Sequence, residues 1–388
     1  MSDEAMQTDM ETLRSRLRER AVAFATNEIE LLDNLQECDR PPEDLWRAFG
    51  VSGMTRIGLP PEASGDGGDL RAMALVGEAI AAKGGNLGLA GAWMARQLCA
   101  RLHIWGHGSA AQKSTYLPDL AAGLSTPCFA VSEPGAGAHP KHLRTEAVRD
   151  GDYYIINGEK AYLTNGPIAD LILLLAITGV ADGRKQYSIF LVPRETPGIE
   201  ETEGIKIDFL KPSCHCGMKF NDVRVPAEAL LGPEGDAFAT FSLPMRRVED
   251  AISAANKAGA FRYQVDRLGF EISDVELDKE QLTELGRLAA APDGLSALAY
   301  RAVELLDLDP GGNAEPVEAI TAAGRDWIGG LQERVAAFIE RAGLTPSPKL
   351  AAITRDIVKT TGIAGGAHAI RAERRARELM NKDTDSSQ

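Results

Sequence analysis

"CFAVSEPGAGAHPKHLRT", residues 128–145, decides how the chain is organised. It opens as a short apolar strand and leaves it through Glu133-Pro134-Gly135-Ala136-Gly137. Such an exit exposes backbone N–H and C=O groups, and glycine lets that backbone come close to a partner group. The strand texture continues downstream. "DYYIINGEKAYLTN", "DLILLLAIT", "YSIFLVP", "GIKIDFL" and "GMKFNDVRVP" are short, rich in β-branched and aromatic residues, and separated by Gly, Asn, Asp or Pro. Residues 125–233 therefore read as a β domain, a barrel or sandwich. Within it, Asn157-Gly158 reads as a tight hairpin turn.

The texture on both sides is helical. Residues 1–124 read as an N-terminal helical domain. In "METLRSRLRERAVAFATNEIELL", Leu13, Leu17, Val22 and Phe24 recur near helical spacing. Asp69 is the expected cap of "LRAMALVGEAIAAKG", and a later helix should end near Gly123. Residues 234–388 divide into amphipathic segments, with "KEQLTELGRLAAA" and "LSALAYRAVELLDL" as two separate ones. They read as a C-terminal four-helix-type bundle. The fold class is α+β multidomain.

Composition bounds the function. The chain of 388 residues is 44% hydrophobic and 25% charged, with a net charge of −14. That is a soluble composition and a poor nucleic-acid binder. The basic cluster from Arg371 to Arg377 reads as a solvated helix face. Five cysteines, an odd number, argue against a disulfide framework and for a reducing compartment. The N-terminus reads as no secretory or mitochondrial leader, and no apolar run is long enough to span a membrane. The expected location is the cytoplasm, with no membrane partner. In "SCHCGMKF", strand alternation points Cys214 and Cys216 one way and His215 the other, so no metal site is expected.

The residues also resemble a known family. "WGHGSAAQKSTYLPDLAAG" is similar to the segment leading into the β domain of acyl-CoA dehydrogenases. "CFAVSEPGAGA" resembles that family's strand exit, and "YYIINGEKAYLTNGPIAD" its following hairpin. "FNDVRVPAEALLGPEGDAF" resembles its passage into the bundle. The resemblance covers residues 105–238 and fades after about residue 240. It implies FAD as cofactor, an acyl-CoA thioester as substrate, a 2-enoyl-CoA as product, and a dimer or tetramer. It also implies that Phe129, Val131, Ser132, Gly135, Gly137, Tyr162, Leu163 and Thr164 line the flavin. Ser132 stands for the usual Thr, and Tyr162 for the usual Trp. Arg267 and Phe270 are a partial echo of the residues that meet the cofactor's pyrophosphate across the dimer interface.

Three departures follow. Ala138 stands where the family has a serine that holds the thioester end of the substrate. His139 and His142, next to it, face solvent or reach an anionic part of the substrate. The usual glutamate base near the chain end has no counterpart in context; the acids there are Glu373 and Glu378 on a charged helix. The family's alternative place for a base precedes an arginine on the first bundle helix. There "MRRVED" offers Glu249 as the base and Arg247 as a substrate contact. The primary expectation is an FAD-dependent acyl-CoA dehydrogenase. The alternatives are a catalytically degenerate subunit that pairs with an active homologue, and a flavin-dependent acyl-CoA enzyme of other chemistry.

Overall fold

The structure is a computed structural model, which describes residues 3–309, 311–363 and 365–385. It begins with helices α1 (Asp3–Phe24), α2 (Glu43–Val51), α3 (Leu70–Gly84), α4 (Leu87–Leu98) and α5 (Ala110–Ala122). The local signals explain their limits. Asp69 accepts a hydrogen bond from the Ala72 amide at 2.8 Å and caps α3. Gly123, at φ +76°, closes α5 in the left-handed conformation that glycine accepts most easily. Between α4 and α5 the chain winds more loosely, as a π-helical turn over Cys99–Trp105. Among the described residues no helix is long and apolar enough to cross a membrane.

Eight strands follow: β1 (Pro127–Ala130), β2 (Glu146–Asp150), β3 (Tyr153–Thr164), β4 (Leu171–Ala181), β5 (Arg184–Pro193), β6 (Ile199–Thr202), β7 (His215–Pro226) and β8 (Leu230–Leu231). They form one mixed sheet in the order β6-β7-β3-β2-β4-β5-β8, with β1 parallel to β4 and Phe129 opposite Leu173. The run "LILLLAIT" has no alternation because β4 is buried on both faces. Leu171, Leu173 and Leu175 pack with the helices, whereas Ile172, Leu174 and Ala176 pack in the sheet's own core.

Asn157-Gly158 makes no hairpin turn. Both residues lie inside β3, where the register against β7 shifts between Ile156 and Gly158. Gly158 has φ +153°, and a Cβ there would lie 2.5 Å from Thr145 Oγ1. The glycine serves a bulge and a close approach, and a tight turn uses the same dipeptide.

The C-terminal helices are α6 (Leu243–Glu271), α7 (Lys279–Leu308), α8 (Ala314–Arg341), α9 (Pro348–Gly362) and α10 (Gly365–Asp385). The two segments expected on either side of Pro292-Asp293-Gly294 are a single helix, α7. Pro292 is buried there, and the Ser296 hydroxyl donates to its carbonyl at 2.9 Å. Gly294 leaves room for the Trp327 ring of α8, which a Cβ would meet at 2.4 Å. Packing against α8 outweighs the local break signal.

Candidate active site

The strand exit is held by a buried ion pair. Lys160 on β3 places Nζ 2.9 Å from Glu133 Oε1 and donates to the Val131 carbonyl at 3.0 Å. The Glu133 carboxylate also accepts the amides of Arg144 at 2.6 Å and Thr145 at 2.9 Å. Burial alone pushes Glu133 up, but Lys160 and Thr145 outweigh it and hold the carboxyl below its usual range. Burial drives the Lys160 ammonium down to about 8, against the opposing pull of Glu133. The pair is fully satisfied, so it fixes the loop rather than offering a reactive group. The sequence reading gave neither residue a role. No local signal marked them, since Lys160 follows Asn157, Gly158 and Glu159 in a mixed stretch of β3.

Alternation on β1 and β3 sorts the expected flavin-lining residues. Phe129 and Val131 pack toward the helical core, while Cys128 and Ala130 turn into the sheet. Tyr162 and Thr164 share one face of β3. Leu163 lies on the other and is fully buried in the sheet core, so the structure does not bring its side chain to the same face. Tyr162 stacks on His215 of β7, with ring centroids 4.5 Å apart. Burial drives His215 down to about 4 and leaves its Nδ1 without a partner. Ser132 accepts the Ala161 amide on its carbonyl at 2.9 Å, which ties the strand exit to β3. Gly135 and Gly137 have φ +70° and +54°, and a Cβ on either would meet nothing within 4 Å. Positive φ, not crowding by the protein, is what calls for glycine at both positions.

The π-helical turn supplies a wall. His103 lies 4.6 Å from the Phe129 ring and 5.5 Å from Phe241. It is buried and pushed down to about 3, so it stays neutral, and its Nε2 has no partner. Sequence reasoning missed His103 and its neighbour Cys99; a helix of ordinary composition gives no local sign of such a contact.

Glu249, in the first turns of α6, closes the arrangement. Its side chain is solvent-exposed, although surrounding protein weighs on its carboxyl. Burial first, then the neighbouring Asp250 charge, push its carboxyl up to about 7. Its charge reaches two groups from other elements. After burial, it is the next cause that raises Cys99 and Tyr162, each to about 12. The Glu249 charge thus acts on groups of β3 and of the π-helical turn.

Other expected residues lie elsewhere. Arg247 is two positions from Glu249, about 200° around the helix. It faces Glu318 of α8 at 3.8 Å, so the structure does not bring it beside Glu249. Arg267 and Phe270 are about 27 Å and more along α6 from Glu249, at a rise of about 1.5 Å per residue. Arg267 is paired with Glu271 at 2.9 Å, and Phe270 is 69% exposed. Ala138 is exposed, as are His139 and His142, whose rings lie 4.8 Å apart. Glu373 and Glu378 are exposed on α10 and face Arg377 at 3.7 Å and Arg374 at 3.5 Å.

Comparison with known proteins agrees with this fold. The family description "Acyl-CoA dehydrogenase, N-terminal domain" matches residues 13–124, and "Acyl-CoA dehydrogenase, middle domain" matches residues 128–223. A short-chain specific acyl-CoA dehydrogenase of Clostridium acetobutylicum is 32% identical over 286 residues, covering 70% of this chain and 72% of the relative. A probable acyl-CoA dehydrogenase of Bacillus subtilis is 32% identical over 58% of this chain and 59% of its own length. The match to that protein thus spans less than two thirds of it. The crystal structure of a probable acyl-CoA dehydrogenase from Mycobacterium abscessus superposes with a TM-score of 0.79 at 26% identity, covering 94% of this chain and 98% of that one. Butyryl-CoA dehydrogenase from Megasphaera elsdenii has the same fold, with a TM-score of 0.79 at 23% identity over 95% and 98% of the two chains.

Proposed function

As the chain belongs to the acyl-CoA dehydrogenase family, we propose that it is an FAD-dependent oxidoreductase that converts an acyl-CoA thioester to its 2-enoyl-CoA, with Glu249 as the base. The observation that supports this reading is the Glu249 carboxyl on α6, pushed up to about 7 and acting by its charge on Tyr162 of β3. A carboxylate of that basicity is matched to taking a proton near neutral pH.

The residues fit the cofactor. The hydroxyls of Ser132 and Thr164 make no hydrogen bond within the described chain, so both are free to meet the polar edge of a flavin. Phe129 and Val131 offer an apolar wall, and the open space at Gly135 and Gly137 admits a ligand against the backbone. When bound, FAD supplies the acceptor for the β-hydride.

The chain's own part is the proton. The α-C–H bond breaks, its electron pair stays on carbon, and the proton passes to a Glu249 carboxylate oxygen. Phe241 and neutral His103 keep one side of the site apolar, which sustains the raised basicity of the carboxylate. Ala138 has no hydroxyl to donate, so the thioester end must be oriented by other groups. Arg267 and Phe270, remote from Glu249 in one chain, serve a cofactor only across a contact between copies, in a dimer or tetramer.

Glu249→Gln tests the assignment. The wild-type flavin is expected to bleach anaerobically with a suitable acyl-CoA, and the variant to lose that response while keeping its flavin. A second reading is favoured by one observation: the acids of α10 are exposed and face arginines. On that reading the chain is a degenerate subunit of a heteromeric dehydrogenase. Flavin retained only after co-expression with a homologous subunit supports it.

A further inference from the structure

Helices α6, α7, α8 and α10 enclose a cavity of about 50 Å³. A single water needs about 10–15 Å³ on this scale, so the space takes a guest of a few heavy atoms. One side is apolar, with Leu295 and Ile328; the other carries Asp250, Lys257, Arg325 and His368. Among the described residues the part-buried Lys257 ammonium makes no hydrogen bond or ion pair. Arg325 commits one N–H to the Ile363 carbonyl at 2.7 Å and otherwise faces the same space.

An adjoining hollow of about 40 Å³ shares Asp250 and Thr321 and adds Arg246, Arg247 and Arg371 against Glu318. Together, five cations (Lys257, Arg325, Arg246, Arg247 and Arg371) surround two carboxylates (Asp250 and Glu318). The chain as a whole carries −14, so this excess of positive charge is local. Cations crowded into a part-buried space repel one another, and an anion that joins them relieves that cost. Glu249 attracts Lys257 by its charge but lines neither hollow.

We propose that this cavity binds a small organic carboxylate, with the carboxylate on Lys257 and Arg325 and the apolar end on Leu295 and Ile328. The site is separate from the one proposed around Glu249. It suits an effector or structural anion rather than a reacting substrate, since no described residue of the flavin-facing strands lines it.

The test is thermal melting of the full chain in acetate and in chloride at matched ionic strength. Acetate is expected to raise the wild-type Tm saturably by about 2 °C or more, and chloride to leave it unchanged. Lys257→Met is expected to melt above wild type without acetate and to lose the acetate response. Leu295→Phe, which fills the cavity and keeps every charge, is expected to lose the response as well. An acetate response that survives in both variants overturns the proposal. So does an equal response to the two anions, or no response in wild type.

Discussion

The strand exit and the first helix of the bundle treat charge in opposite ways. At the exit, Glu133 and Lys160 are buried, paired at 2.9 Å and supplied with backbone partners. On α6, exposed Glu249 and part-buried Lys257 make no hydrogen bond or ion pair among the described residues. Satisfied buried charge specifies geometry, whereas unpaired charge is free to react or to bind. The β domain therefore reads as the rigid wall, and α6 as the side that carries the chemistry.

The largest expected effect breaks the wall. Lys160→Met leaves the Glu133 carboxylate buried with only backbone donors. It should cost about 3–5 kcal/mol of stability in a denaturant titration, with flavin content falling in parallel. Adding Glu133→Gln should recover part of that loss. If Lys160→Met is neutral, the contrast between the two regions fails.

Next comes pH. Glu249 must be ionised to accept a proton, and its carboxyl lies near 7 instead of the usual 4.5. The rate of flavin reduction by acyl-CoA should therefore rise about tenfold per unit below pH 7 and level off above it. A rate already flat from pH 5 upward assigns the proton to another group.

Stability should respond in the opposite sense. A carboxyl whose folded pKa is raised binds its proton more tightly when folded, so its contribution fades as pH rises from the ordinary carboxylate range through about 7. Glu249→Gln should accordingly melt about 2 °C or more above wild type at pH 8 and equal it near pH 4. Equal melting at both values removes the case for a raised Glu249 carboxyl.

The smallest effect concerns Arg247. It faces Glu318, so Arg247→Ala should change flavin reduction within about twofold. A loss beyond tenfold means that Arg247 turns toward the substrate.

How far the sequence discloses all this follows the same divide. Most strands of the middle region announce themselves by short β-branched runs, although "GIKIDFL" forms none and β6 ends just before it; Asp69 and Gly123 mark helix ends as local chemistry predicts. Local chemistry also misleads. Asn157-Gly158 looks like a turn but sits in a bulge forced by Thr145. Pro292 looks like a break but lies inside α7, where the neighbouring Gly294 takes the Trp327 ring. In the site, Tyr162 and Thr164 are legible from alternation, and the same alternation turns Leu163 away. Glu133, Lys160 and His103 acquire meaning only from residues distant in the chain. Glu249 is legible as an acid in a plausible place; its coupling to Tyr162 and Cys99 is a tertiary fact.

The most direct measurement is an anaerobic absorption titration of the FAD-supplemented protein and its Glu249→Gln variant with a panel of acyl-CoAs. The account predicts two yellow proteins, of which wild type alone bleaches. A protein that stays colourless with added FAD, or a variant that bleaches as fast as wild type, contradicts it.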